Sequence, residues 1–469
     1  MYTFSIGAYL VLENRSPQST FAWLLLLLIF PIGGLVIYGM FGRSWHAFSR
    51  GKILTKLMRG SELAERSAKL IAVQHEKIEQ ISEGPNGEFG RLATMLWASS
   101  GSPLTTVNRL EILQNASEKY PRLLDDLRAA THSIHLLYYE WASDPFTEEV
   151  GRLLGDKVRE GVEVRILYDP VGSYWMITRK YIRWMRGMGI QMFPFSPMYR
   201  LHTLSYRNHR KIAVIDGKVA YSGGLNMTEK HLTGPDGFSG WRDTHTRVSG
   251  EAALVLQAVF ATMWHNTIGE NVFQDEYFPE FDEDGPRLPI QVVSAGPDSE
   301  WKAIRQSYLA MIGLARSHVY LQSPFLILDD SLSETLKSAA LSGIDVQLMI
   351  APRGGEWSPA YRAGMTYAAD MARAGVAVLM YQGEYFHSKT ACVDSAICSI
   401  GSANMDIRSF AINYETNLVI YDAGVAQELE ADFKRDLEKC VPFSFADYKA
   451  RPVLSRFVDS TMRLCSPLI

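Results

Sequence analysis

Four cysteines in 469 residues (Cys392, Cys398, Cys440 and Cys465) form no CxxC pair and no metal-ligand spacing. That scarcity excludes a disulfide-stapled scaffold and a zinc finger, and it fits a reducing compartment. Positive charge is not in excess either: 47 Lys and Arg stand against 51 Asp and Glu, so no global basic field points to nucleic acid. With only 21% charged residues beside 47% hydrophobic ones, general disorder is excluded. The length exceeds what one hydrophobic core serves, so two or three globular units are expected.

Charge is missing altogether from one stretch. Phe21 to Phe41 reads FAWLLLLLIFPIGGLVIYGMF. As a helix rising about 1.5 Å per residue, such a run spans a hydrocarbon core of about 30 Å. Pro31, Gly33 and Gly34 are tolerated in a membrane span. No small-x-small cleavage site follows, and the positive charges lie after the apolar run, which argues against a signal peptide. Arg43, Arg50, Lys52, Lys56 and Arg59 follow it without an acid among them, and only Glu13 and Arg15 precede it. The positive-inside rule therefore places the rest of the chain on the cytoplasmic side of a membrane. Between Ser61 and Ser82, Leu63, Leu70, Ile71, Ile78 and Ile81 recur at helical spacing and predict an amphipathic connecting helix.

The most informative feature is an internal repeat. Asn208–Met227 reads NHRKIAVIDGKVAYSGGLNM and Phe386–Met405 reads FHSKTACVDSAICSIGSANM. His209 and His387, Lys211 and Lys389, Asp216 and Asp394, and Asn226 and Asn404 are each separated by 178 residues. A later pair, WRDTHTRV ending at Val248 and NYETNLVI ending at Ile420, sets Asp243 opposite Glu415. Upstream, Ile134–Tyr139 and Val319–Gln322 precede helical segments ending at Gly161 and Gly343, and strands Val164–Tyr168 and Val346–Ile350 follow. The same order twice predicts two related α/β units. Domain bounds follow: an anchor over 1–42, a basic flank and connecting helix over 43–103, a first unit over 104–274, an acidic linker over 275–288, and a second unit over 289–469. The linker region carries Asp275, Glu276, Glu280, Asp282, Glu283 and Asp284, and reads as solvated.

On a strand, residues i and i+2 share a face, so His209 and Lys211 are expected to project together, as are His387 and Lys389. A His beside a Lys suits phosphoryl chemistry: the imidazole attacks or carries a proton while the ammonium holds phosphate oxygens. Asp216-Gly217 and Asp394-Ser395 fall where a strand-end turn is expected, which predicts a structural role for both carboxylates. Asp243 and Glu415 are candidates to orient the imidazoles through Nδ1. The other carboxylates are dispersed, with no metal-ligand cluster, and no cofactor is expected.

These residues resemble the signature of the phospholipase D superfamily, two HxKxxxxD motifs meeting at one site. The resemblance covers Leu104 to the C-terminus. It narrows to bacterial cardiolipin synthases through ENRSPQSTFAWLLLLL, YYEW, YRNHRKIAVIDG, GGLN and the terminal SPLI, all present between Glu13 and Ile469. That family carries two N-terminal spans, whereas here a short apolar stretch precedes one complete span. The resemblance implies a pseudo-twofold α/β catalytic domain acting on phosphatidylglycerol and other anionic phospholipids at a bacterial inner membrane. Phosphatidyl transfer would proceed through a phosphatidyl-histidine. The catalytic set would be His209, Lys211, Asp216, His387, Lys389 and Asp394, with Asn226, Asn404 and Ser402 donating to phosphate and Asp243 and Glu415 orienting the rings. Symmetry leaves the order of the histidines open, with His209 preferred as nucleophile and His387 as acid and base. A hydrolase using water at the same site is the main alternative. A nuclease is disfavoured by the net charge, and a membrane scaffold by the intact His–Lys pairs. Finally, Tyr174–Met188 (YWMITRKYIRWMRGM) interleaves aromatic and basic residues without an acid and reads as an interfacial helix.

Overall fold

A computed structural model describes residues 2–12, 17–38, 62–84, 87–196, 205–281, 284–351, 358–464 and 466. Ser133–Tyr138 is buried at all six positions and Glu163–Tyr168 at all but the first, the pattern of strands covered by helices on both faces. The first half supplies β1 (Leu104–Gln114), β2 (Ser133–Tyr138), β3 (Glu163–Tyr168), β4 (Gln191–Pro194), β5 (Ile212–Ile215), β6 (Val219–Gly223), β7 (Trp241–Arg242) and β8 (Thr244–Gly250). The second half supplies β9 (Arg287–Ala295), β10 (His318–Ser323), β11 (Leu326–Ile327), β12 (Asp345–Ile350), β13 (Ala377–Tyr381), β14 (Tyr385–Phe386), β15 (Thr390–Val393), β16 (Ile397–Gly401), β17 (Met405–Asp406), β18 (Glu415–Ile420) and β19 (Cys440–Pro442).

Both halves join in one mixed 15-stranded sheet. Outward from its middle the first half runs β1-β8-β6-β5-β2-β3-β4, and the second runs β9-β18-β16-β15-β10-β12-β13-β19. The orders are equivalent strand for strand until β19, so the repeat in sequence is a pseudo-twofold in space. The seam is the antiparallel pair β1 and β9, with Leu104 opposite Gln291 and Thr105 opposite Ile290. One apolar layer runs across it: Leu137, Val214 and Phe260 of the first half pack in the same cluster as Ile400, Leu418 and Leu429 of the second. The helix Glu251–Ile268 turns onto this layer at Gly250, which has φ +94° and where an added Cβ would lie 2.2 Å from the Val107 carbonyl oxygen.

The N-terminal segment differs from a single continuous span. Helices Pro17–Ile29 and Pro31–Ile37 are separated at Phe30, because Pro31 cannot continue the helical hydrogen bonding. The helix Tyr2–Leu12 packs beside them, with Leu10, Leu27 and Tyr38 in one cluster. Among the described residues no helix is long and apolar enough to cross a membrane. Residues 39–41 and the basic flank lie outside the described residues.

The connecting segment forms two helices, Glu62–Ala72 and Gln74–Glu83. Polar contacts clamp the second to the catalytic body. Leu104 N donates to Gln74 Oε1 (2.6 Å), and Lys77 pairs with Glu251 (2.8 Å).

The acidic linker is less solvated than its charge implies. Asp275, Glu276, Glu280 and Asp284 are exposed, but Tyr277 and Phe278 are buried with Val272 and Phe273 in the shared layer. Two adjacent aromatics gain more from burial than their acidic neighbours lose by staying at the surface. Asp282 and Glu283 lie outside the described residues.

Candidate active site

Each HxK tripeptide sits just before its strand rather than on it, where the chain crosses to the opposite half. His209 N donates to the Tyr414 carbonyl (2.9 Å), and His387 N donates to the Arg242 carbonyl (2.8 Å). The second crossing is extended by the parallel pair β7 and β14, with Phe386 opposite Arg242. Each histidine is therefore threaded beside the segment that carries the other half's carboxylate.

The pairing of ring and carboxylate is reciprocal across the halves. Asp243 Oδ2 lies 2.7 Å from His387 Nδ1, and Glu415 Oε1 lies 3.0 Å from His209 Nδ1. Both carboxylates are fully buried, while His209 and His387 keep 8% and 9% exposure. A carboxylate on Nδ1 fixes the Nδ1–H tautomer and leaves Nε2 of each ring for a ligand. Burial raises the Asp243 carboxyl, yet Lys389 and His387 outweigh it and hold the group well below its ordinary value. Glu415 is likewise lowered, by His209 and Lys211 against its burial.

The lysines fold back along their histidines instead of standing beside them on a strand. Lys211 Nζ donates to the His209 carbonyl (2.6 Å); Lys389 Nζ bonds the His387 carbonyl and lies 2.8 Å from its Nδ1. Burial lowers Lys211 to about 7 and Lys389 to about 8, with the site carboxylates opposing the shift. Burial, and next Lys389, lower His387 to about 3 despite Asp243. The site thus gathers buried basic groups whose charged forms an anion would stabilise.

Asp216 and Asp394 lie at the far ends of β5 and β15 from the histidines. At φ +52° and +54° they turn the chain and collect backbone N–H groups. Asp216 accepts from Thr131, His132 and Ser133 (2.8–2.9 Å), and Asp394 from Arg316, Ser317 and His318 (2.7–2.9 Å). They pin each hairpin to the start of β2 or β10 and do not reach the histidines.

Ser402 departs from its expected role. Its hydroxyl donates to Glu415 Oε2 and its carbonyl faces His209 Nδ1 at 3.1 Å, so it steadies the carboxylate instead of meeting phosphate. The counterpart Gly224 has a steric reason to be glycine: a Cβ there would lie 1.9 Å from Asp243 Oδ1. Asn226 is also engaged, its Oδ1 accepting from Glu140 N (3.1 Å) and its Nδ2 lying 3.3 Å from Glu140 Oε2. Among the described residues, Asn404 Oδ1 is buried without a hydrogen-bond partner.

An aromatic wall completes the site. Tyr139 stands edge-on to His209 (4.8 Å between ring centres), and Trp241 edge-on to His387 (5.0 Å) with Tyr385 against it (4.4 Å). Such rings exclude water from the reacting atoms. Tyr139 falls in the YYEW run, and Trp241 and Tyr385 stand two residues before Asp243 and His387, an adjacency to motif residues that is the signal for them in the sequence.

Two His–Lys pairs with buried carboxylates, gathered at the seam of a duplicated α/β fold, define an enzyme site of the phospholipase D type. Comparison with known proteins narrows the class. Residues 123–264 and 308–437 match the family described as cardiolipin synthase, PLD-like domain, and residues 4–43 match the phospholipase D–nuclease N-terminal family. The chain is 35% identical to the cardiolipin synthase of Geobacillus sp. (strain WCH70), over 99% of this chain and 91% of that one. It is 37% identical to the cardiolipin synthase of Listeria welshimeri, over 99% and 97%. The chain belongs to the cardiolipin synthase family. In fold it resembles the crystal structure of phosphatidylserine synthase from Haemophilus influenzae, with a TM-score of 0.62 and 11% identity over 81% of this chain and all of that one.

Proposed function

We propose that this enzyme transfers a phosphatidyl group from one phosphatidylglycerol to another, giving cardiolipin and glycerol. The observation that carries the reading is the reciprocal orientation of two imidazoles, each with Nε2 free, over a pair of buried lysines. In the first step Nε2 of one histidine attacks phosphorus and the P–O bond to glycerol breaks, the glycerol oxygen taking a proton from the other ring. In the second step the now neutral ring takes the hydroxyl proton of a second phosphatidylglycerol. The new P–O bond forms as the P–N bond breaks. Lys211 and Lys389 offset the charge that develops on the phosphate oxygens, a task for preorganised cations in a dry site.

The environment of His387 favours one order. His387 is lowered to about 3 by burial and Lys389, so it rests neutral, as attack requires. We assign it the attack and His209 the proton transfers, the reverse of the order preferred from sequence. Asp243 and Glu415 position the rings, and Asp216 and Asp394 hold the scaffold.

Membrane attachment is part of the same reading. It is supported by the exposed Phe21, Leu25, Leu28, Ile29 and Ile32 on the N-terminal helices and by the basic residues that follow in sequence. We place the catalytic body on the cytoplasmic face of the bacterial inner membrane, with the anchor over 1–42 and the two units over 104–274 and 289–469.

The test is product analysis of purified enzyme with phosphatidylglycerol labelled in both the acyl chains and the headgroup glycerol. Transfer yields cardiolipin and free glycerol in equal amounts. Phosphatidic acid as the sole lipid product would replace this reading with hydrolysis.

A further inference from the structure

A cationic pair beside the site has no part in the chemistry above. Arg207 and Arg408 come from opposite halves of the chain, on segments that meet beside His209. Arg207 lies two residues before His209, on the crossing segment, where its carbonyl accepts from Tyr414 N (2.8 Å). Arg408 belongs to the short turn of helix Ile407–Ala411 that follows Asn404, and its Nη2 donates to the Ser205 carbonyl (3.0 Å). Tyr139 links the pair to the reacting ring: its ring stands 4.8 Å from His209, and both guanidiniums act on its hydroxyl.

One donor of the pair is left to meet an anion. Arg207 Nη1 is buried and, among the described residues, has no hydrogen-bond partner. The nearby acids attract the guanidiniums and are also bonded to backbone. Asp169 accepts from Asn208 N (2.7 Å), Val171 N (2.9 Å) and Gly172 N (3.1 Å), and Asp406 accepts from Ser409 N (2.6 Å). Burial and the neighbouring Arg207 lower Arg408, with Asp406 opposing. Paired forks of this kind match the oxygens of a phosphate.

We propose that Arg207 and Arg408 bind the phosphate of the acceptor lipid, the phosphatidylglycerol whose hydroxyl attacks the covalent intermediate. This rests on the phosphatidyl-transfer reading, and it deepens that reading. Cardiolipin carries two phosphates joined by one glycerol, so a synthase must hold a second phosphate a glycerol's length from the first. Water and free glycerol bring no such group. A site on the His209 side places the acceptor hydroxyl against the ring assigned to remove its proton.

Two reactions of the full-length enzyme separate this role from others. Cardiolipin formation from phosphatidylglycerol needs both phosphate sites. Exchange of labelled free glycerol into phosphatidylglycerol needs only the donor site. In Arg207→Gln and Arg408→Gln, cardiolipin formation should fall roughly 10- to 100-fold, the scale of a lost charged hydrogen bond, while glycerol exchange stays near that of the parent. Arg207→Lys keeps the charge without the fork and should recover part of the loss, which separates binding from folding. Loss of both reactions in step, or of neither, would overturn the assignment. Parent enzyme that makes only phosphatidic acid would overturn the transfer reading itself and this site with it.

Discussion

Asp243, in the first half of the chain, holds Nδ1 of His387, in the second, at 2.7 Å. Glu415 does the same for His209 in the opposite direction at 3.0 Å. Each half thus supplies the carboxylate that faces the other half's histidine.

Asp243→Asn and Glu415→Gln keep the side-chain shape but remove the charge that fixes the tautomer. Each should lower kcat by something on the order of 10²–10⁴, by analogy with carboxylate–histidine pairs elsewhere. Circular dichroism and the melting temperature monitor the fold. Parental activity in either variant would show that the carboxylate only fills space.

Gly224→Ser tests the asymmetry of the two halves. The new side chain would displace Asp243, since even a Cβ would lie 1.9 Å from its Oδ1. Its kinetics should resemble those of Asp243→Asn. The mirror change Ser402→Gly removes one hydrogen bond to Glu415 and should cost only about tenfold. Equal effects from the two would contradict the packing described.

Asp216→Asn should act on stability. The left-handed turn tolerates Asn, so the change isolates the carboxylate that collects three backbone N–H groups. A loss of about 1–3 kcal/mol in denaturant unfolding is expected, with kcat preserved in the folded fraction. A stable but inactive variant would return Asp216 to the chemistry.

The pH dependence follows from the lysines. Both are lowered by burial, Lys211 to about 7 and Lys389 to about 8, so each is charged below its value and neutral above it. Anion binding by the free enzyme is thus present at lower pH and lost as pH rises through that range. The profile of kcat/KM should decline from about pH 7 upward, while kcat, measured with phosphate already bound, should persist to higher pH. A kcat/KM that stays level past pH 9 would show that the lysines are not the phosphate holders.

The basic segment 174–188 is helical only over Arg179–Gly187, with Tyr174 and Trp175 in the turn before it, and its two faces differ. Tyr181 and Met185 are buried in the first-half core, whereas Tyr174, Arg179, Lys180 and Arg183 are exposed and Trp175 is 91% exposed. Trp175→Ala together with Arg179, Lys180 and Arg183 changed to Gln should weaken binding of a chain lacking residues 1–42 to anionic vesicles, most at low salt. Co-sedimentation with the fold verified decides it; unchanged binding would leave this face with no membrane role.

Much of this was legible in the sequence. The repeat at a spacing of 178 residues exposed the histidines, lysines, asparagines and turn aspartates, and the later alignment found Asp243 and Glu415. The exchange of carboxylates between halves was not legible, because it depends on the β1–β9 seam and on backbone crossings at Tyr414 and Arg242. Spacing alone also put His209 and Lys211 on a strand. Instead the tripeptide precedes it, and the lysine bends back to a carbonyl. Ser402 looked like a phosphate donor because its true acceptor, Glu415, is 13 residues away and on another strand. Arg207 escaped notice because its partner Arg408 comes from the other half.

The most direct test of covalent transfer through paired histidines is acid-quenched single turnover with phosphatidylglycerol labelled in its phosphate and acyl chains. Protein-bound label should appear on one histidine, His387, and chase into cardiolipin when unlabelled phosphatidylglycerol is added. Label on His209 would exchange the two roles. No protein-bound label at all, with cardiolipin still forming at the parental rate, would contradict the account.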